Sequence, residues 1–217
     1  MSRLRQLLPL AALAAVLAYS TPAAAQTIID EWASVKALPP PALKPVTVDP
    51  KTTALLVVDM VSYFCGPQRY TRCPAMIPTV TKLLTEARAK GAMVVYTSVP
   101  QTANIPQTAK IDIVKDLAAS GNEPFVRSFL DKFLNSDLEK TLKDKGITTL
   151  IMTGLASNGA ILYTASEAVQ KGFSIVVPVD AITAITTYAE QFSIWQLGNA
   201  PIISPKITLT KSDMIKF

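Results

Sequence analysis

The sequence contains no histidine. That absence excludes Ser-His-Asp and Cys-His nucleophile systems, the HExxH zinc motif and any other site built on an imidazole base or ligand. Glycine is also scarce, with 8 residues against 16 prolines, so the loops are stiffened by fixed φ more than loosened by glycine. Charged residues make up only 17% and hydrophobic residues 49%, too apolar for a disordered chain and enough for a sizeable core. At about 150 residues per domain, 217 residues are read as one α/β domain. Dense basic blocks are missing, and the formal charge of +5 falls to +3 without Arg3 and Arg5. No nucleic-acid partner is therefore expected.

Those two arginines precede the apolar run Leu7 to Ala18, and small residues follow at Ala23, Ala24 and Ala25. The pattern is that of a secretory signal peptide over residues 1–25, with cleavage after Ala25. The run is shorter than the roughly 20 residues that span a bilayer, and no later segment reads as transmembrane. The expectation is a periplasmic or secreted protein with no membrane contact after cleavage. An oxidising compartment lets the two cysteines, Cys65 and Cys73, close the loop FCGPQRYTRC as a disulfide. A free reactive thiol is the rival reading. It would need a base or helix N-terminus nearby to lower its pKa, and the proline-rich surroundings supply neither.

Residues 26–52 read as an extended N-terminal arm, polar and then proline-rich, that Ile28, Ile29 and Trp32 could anchor in a groove of their own or a neighbouring subunit. From Thr53 onward, short apolar runs alternate with amphipathic stretches. Runs at 53–59, 92–99, 125–129, 146–154, 173–180 and 201–210 read as strands, and 76–91, 136–145, 157–172 and 183–199 as helices, with a terminal helix starting at Ser212. The rhythm predicts one doubly wound, mainly parallel sheet of five or six strands with helices on both faces, spanning 53–217. Residues 100–124 form a long Pro-, Gln- and Asn-rich excursion, and loops of that length are often functional.

In such sheets ligands bind beyond the carboxyl ends of the strands. Asp59, Asp180, Arg127 and the segment 154–159 all fall there. Any one carboxylate in such a place is as readily a turn former. Asp59 stands out because Ala54 to Val58 precede it, so its carboxylate is expected to be partly desolvated and in need of a partner, and Arg127 is the natural one.

Three stretches, TALLVVDMVSYF at 53–64, RSFLDKFLNSDL at 127–138 and LIMTGLASNGAILYTASEAVQKGFSIVVPVDA at 150–181, resemble the isochorismatase-like hydrolase family. The resemblance implies a catalytic Asp, Lys and Cys. Its Asp falls on Asp59, its Lys position on Arg127 and its nucleophile position on Ala160. A methyl group cannot form a covalent acyl intermediate, so cysteine-type amide hydrolysis at position 160 is excluded by this reading. Arginine at 127 would hold Asp59 ionised without shuttling protons. The resemblance also implies a non-proline cis peptide between Leu155 and Ala156, with the amides of Ala156 and Ala160 as a cradle for an anion. Tyr63, Phe64, Ala156 and Ser157 are the candidate substrate contacts, although core packing explains an aromatic at least as well. No metal or other cofactor is expected, and family habit implies a homo-oligomer.

Two functions follow from this reading. One is an exported hydrolase acting on a small polar substrate through water activated by Asp59. The other is a catalytically inactive relative that binds a small ligand or a protein partner. An unrelated doubly wound protein, or a thiol enzyme based on Cys65, remains as a third possibility.

Overall fold

A computed structural model describes residues 27–217 apart from 103, 104 and 106, so the expected signal peptide over 1–25 lies outside the described residues. The chain divides into two units, Met1–Pro39 and Pro40–Phe217. In the first, Ile28–Glu31 form a single helical turn, α1, whose start is held by Asp30 accepting from the Thr27 amide at 2.8 Å. Its apolar side chains Ile29 and Trp32 are exposed.

The second unit begins before the expected domain start at Thr53. Val46–Thr47 form a short strand, β1, and Thr53–Val58 the buried strand β2. Helix α2 (Cys73–Ala89) starts where Pro74 occupies the first turn, a place that needs no amide proton. It ends where Gly91 turns left-handed at φ 76°, as a C′ glycine does. Strand β3 (Met93–Ser98) follows, then β4 (Phe125–Arg127), α3 (Leu138–Lys143) and β5 (Thr149–Leu155). The last part comprises α4 (Leu162–Gln170), β6 (Ser174–Pro178), β7 (Ile182–Thr183), α5 (Thr187–Asn199), β8 (Ile207–Thr210) and β9 (Ile215–Lys216).

The main sheet has seven strands, in the order β4-β3-β2-β5-β6-β8 with β7 beside the end of β5, and all its ladders are parallel. This is the expected doubly wound class with one strand more than the sequence rhythm indicates, because β7 is only two residues long. The terminal helix expected at Ser212 is instead a 3₁₀ turn, after which β9 pairs with β1. That pairing draws residues 46–47 of the expected arm into the second unit.

Alternation along the strands explains two apolar layers. Leu56 and Val58 of β2 pack with Val95, Leu150 and Met152 on one face, beneath α4 and α5. Leu55 and Val57 pack with Val94, Tyr96 and Ile151 on the other, against α2. Both faces of β2 are therefore covered, as the unbroken run Ala54–Val58 implies for a central parallel strand. No helix among the described residues is long and apolar enough to cross a membrane.

Candidate active site

Strand β2 ends in a sharp turn at Asp59, whose φ of 52° is left-handed, a conformation Asp tolerates better than most residues. The Asp59 amide donates to the Thr97 carbonyl at 3.2 Å and its own carbonyl accepts from Val61 at 2.8 Å. The neighbouring strand makes room for this turn. A Cβ on Gly154 would lie 2.0 Å from the Val58 carbonyl oxygen, so only glycine fits there.

The turn delivers the carboxylate to a buried set of polar partners. Asp59 is 4% exposed, and its Oδ1 accepts from the Thr97 hydroxyl at 2.8 Å. Its Oδ2 lies 2.8 Å from Nζ of Lys132, which is 0% exposed. Lys132 donates further to the carbonyls of Ser128 at 3.0 Å and Phe129 at 2.6 Å, so all three ammonium protons have acceptors. Burial pushes the Asp59 carboxyl up, against the charge and hydrogen bonds of Lys132 and Thr97. The same burial pushes the Lys132 ammonium down, against the pull of Asp59. Burial thus moves each group toward its neutral form, and the attraction between them opposes it.

Lys132 replaces Arg127 as the partner of Asp59. β4 is three residues long, and Val126 turns into the core beneath α4. Alternation therefore sends Arg127 to the opposite face, where its guanidinium lies 4.6 Å from the centroid of the exposed Phe125 ring. The chain then folds back. The Lys132 amide donates to Thr164 Oγ1 at 3.1 Å and Ser136 Oγ donates to the Lys132 carbonyl at 2.6 Å, which fixes the backbone with the ammonium pointing at Asp59. The one hint in the sequence is a lysine set in the apolar stretch FLDKFL, where a charge needs a reason to stay.

The turn after β5 carries the predicted cis peptide between Leu155 and Ala156. The Ala156 carbonyl accepts from the amides of Gly159 at 3.0 Å and Ile161 at 3.1 Å, a wide turn that feeds α4. Ala160 is 3% exposed and packs in the layer beneath α4, so this position offers a methyl group and no nucleophile. Ser157, a candidate substrate contact in the sequence, is turned toward α5. It is wholly buried, and its hydroxyl lies 2.9 Å from Ser193 Oγ on α5.

The chain that leaves Asp59 runs into a loop closed by a disulfide. Cys65 and Cys73 are bonded, and no free thiol remains. Tyr63 and Phe64 are half-buried and meet edge to face at 5.1 Å, while Phe64 meets Tyr70 at 6.3 Å. Tyr70, which the sequence reading passed over, has its phenol pushed up by burial and by the charge of Asp59. Residues 110–114 of the long excursion pair with this segment, through Tyr63 to the Lys110 carbonyl and Val114 to the Met60 carbonyl, both at 2.9 Å. Asp180 has a structural task. Its carboxylate accepts from the Ser212 amide at 2.8 Å and hydroxyl at 2.6 Å. Among the described residues, no cluster of three or more His, Cys, Asp or Glu side chains could hold a metal ion.

A buried carboxylate and amine thus lie at the carboxyl edge of a parallel sheet, where doubly wound folds bind their ligands. Residues 53–205 match the Isochorismatase domain, and the chain belongs to that family. N-carbamoylsarcosine amidase of Arthrobacter is 25% identical over 172 residues, covering 67% of this chain and 65% of the amidase. Streptothricin hydrolase of Streptomyces noursei is 31% identical over 133 residues, covering 59% of this chain and 53% of that protein. This chain thus spans less than two thirds of either relative. Among solved structures, a cysteine hydrolase from Pseudomonas syringae superposes with a TM-score of 0.69 at 20% identity, covering 80% of this chain and 94% of that one. A nicotinamidase/pyrazinamidase from Bacillus subtilis gives 0.66 at 19% identity, covering 74% and 100%. These two likenesses show the fold.

Proposed function

We propose that the protein is an exported hydrolase of the isochorismatase family that cleaves a small polar substrate with water in place of a cysteine nucleophile. The observation that carries this reading is the buried Asp59–Lys132 pair. Buried ion pairs contribute little to stability, and their desolvation can outweigh their attraction, so one kept at the ligand-binding edge of the sheet favours a chemical role.

In the proposed step Asp59 takes a proton from water and the hydroxide oxygen adds to the substrate carbonyl carbon. The C–N bond then breaks, and the proton returns through the Asp59–Lys132 pair to the departing nitrogen. A lysine can exchange that proton where an arginine could not, which removes the objection raised by Arg127. Export is supported by the signal-like residues 1–25 and by the disulfide. Self-association belongs to the same proposal, since Tyr188, Phe192 and Trp195 form an exposed apolar stripe on one face of α5.

The complete engagement of Lys132 and of both Asp59 oxygens, beside a methyl group at 160, favours a second reading as a non-catalytic binding protein. Hydrolysis of a panel of small amides, ureas, carbamates and isochorismate by residues 26–217 separates the two, with Asp59→Asn in parallel and its folding checked by circular dichroism. Turnover lost in Asp59→Asn is the expected result. Turnover that survives the substitution overturns the role of Asp59, and none across the panel favours the binding protein.

A further inference from the structure

Helices α2 and α5 lie on opposite faces of the main sheet, α2 in the layer of Leu55 and Val57 and α5 against that of Leu56 and Val58. An ion pair joins their starts. Arg72, just before α2, places Nη2 3.1 Å from Oε2 of Glu190 in the first turn of α5. Both helices begin beyond strand carboxyl ends, so the pair crosses the edge of the sheet at which Asp59 lies. The other oxygen of Glu190, Oε1, accepts from the Thr183 hydroxyl at 2.7 Å and from the Ala184 amide at 3.1 Å. Thr183 is paired with Leu155 at the end of β5, and Gly154 with Val58, the residue before Asp59. One turn further along α5, Ser193 holds Ser157 by their hydroxyls. On the other side Arg72 adjoins Cys73, whose disulfide returns the chain to Cys65, six residues after Asp59. These links close a ring that starts and ends at Asp59.

We infer that Glu190 is a positioning residue of the Asp59 site, and that its bond to Arg72 fixes the loop closed by Cys65 and Cys73 relative to the turn at 155–160. The inference rests on the hydrolase reading for its effect on rate, and on the ring of contacts alone for its effect on the two segments. An acidic residue in the first turn of a helix needs no more than the helix dipole to explain it. Glu190 goes further, because its carboxylate is 14% exposed and joins β7 to a cation from the opposite face of the sheet. Strand ladders and a disulfide make up most of the ring. The Arg72 bond is its link most open to water, with the arginine 54% exposed. Such a pair contributes little to overall stability. What it supplies is geometry, and a displacement of about 1 Å at a reacting group can cost about a hundredfold in rate.

The test pairs hydrogen–deuterium exchange of residues 26–217 with turnover of whichever amide, urea, carbamate or isochorismate the wild-type protein hydrolyses. Glu190→Gln keeps an oxygen for Thr183 and Ala184 but loses the charge that holds Arg72. In that variant and in Arg72→Gln, exchange should rise about fivefold or more at 62–65, 159 and 161, whose amides are all hydrogen-bonded, and stay unchanged in β6 and β8. The double variant should match either single one, and Arg72→Lys should retain most of the protection. In both single variants kcat should fall about tenfold with KM within about twofold of the wild type. Exchange unchanged in both segments, or raised throughout the sheet, overturns the positioning role, and so does an unchanged kcat in Arg72→Gln. Faster exchange confined to the two segments, in a protein whose wild type turns nothing over, supports the clamp and counts against the hydrolase reading. Wild-type turnover with unaltered exchange in the variants does the reverse.

Discussion

Lys132 reaches Asp59 from the loop after β4 and meets its carboxylate at 2.8 Å, while Arg127, at the end of that strand, faces away. The cation is thus supplied from a different point of the chain than the family resemblance implies. A lysine there keeps a transferable proton in the pair, which a guanidinium would not.

Removing one member of this pair should be costly. Lys132→Met leaves a buried carboxylate without its cation, and urea unfolding should show a loss of about 3–5 kcal/mol. The double variant Asp59→Asn/Lys132→Met should be more stable than Lys132→Met alone, because no unpaired charge stays buried. A double variant as unstable as the sum of the singles would show that the two residues do not act as a unit.

A second network should govern the response to pH. Arg88 donates to both Glu123 oxygens, at 2.8 and 2.7 Å, and to the Tyr96 hydroxyl at 2.9 Å, and Tyr96 donates to the Leu117 carbonyl at 2.7 Å. Burial alone would raise Glu123, but hydrogen bonds from Arg88 and Ser120 hold its carboxyl below the ordinary value of 4.5. Its contribution is therefore complete above that value and lost as pH falls through the lowered native one. Burial pushes the Tyr96 phenol up to about 12 from 10.0. Its contribution is present below 10 and declines toward 12, where the native state still holds a proton the unfolded chain has released. Stability curves of Glu123→Gln and Tyr96→Phe should flatten at the acid and alkaline ends respectively.

Gly154→Ala should be among the most damaging small substitutions. Position 154 has a φ of 113°, and the added carbon would meet the Val58 carbonyl oxygen at 2.0 Å. Thermal and urea unfolding should show a loss above about 3 kcal/mol or no folded protein, since the Val58 backbone, unlike a side-chain end, cannot move aside.

The disulfide should contribute about 2–3 kcal/mol, as short closed loops do in the chain-entropy picture. The Cys65→Ala/Cys73→Ala variant should lose that much in urea unfolding.

Local sequence determined the strands and helices, because a covered parallel strand must be apolar throughout and a surface helix must be apolar on one side, as Ala54–Val58 and Val80, Leu83, Leu84 and Ala87 are. It also placed Asp59 at a strand end, set the two cysteines within closing distance and marked Ala160 as a position without a nucleophile. The identity of the Asp59 partner was decided only in three dimensions. Strand alternation turns Arg127 outward, and a hydrogen-bonded loop anchored to Thr164 turns Lys132 inward, and neither direction follows from spacing along the chain. The same holds for Tyr70 and for the buried Ser157. Whether a polar side chain faces solvent, ligand or core depends on what packs across from it, and those neighbours come from distant segments.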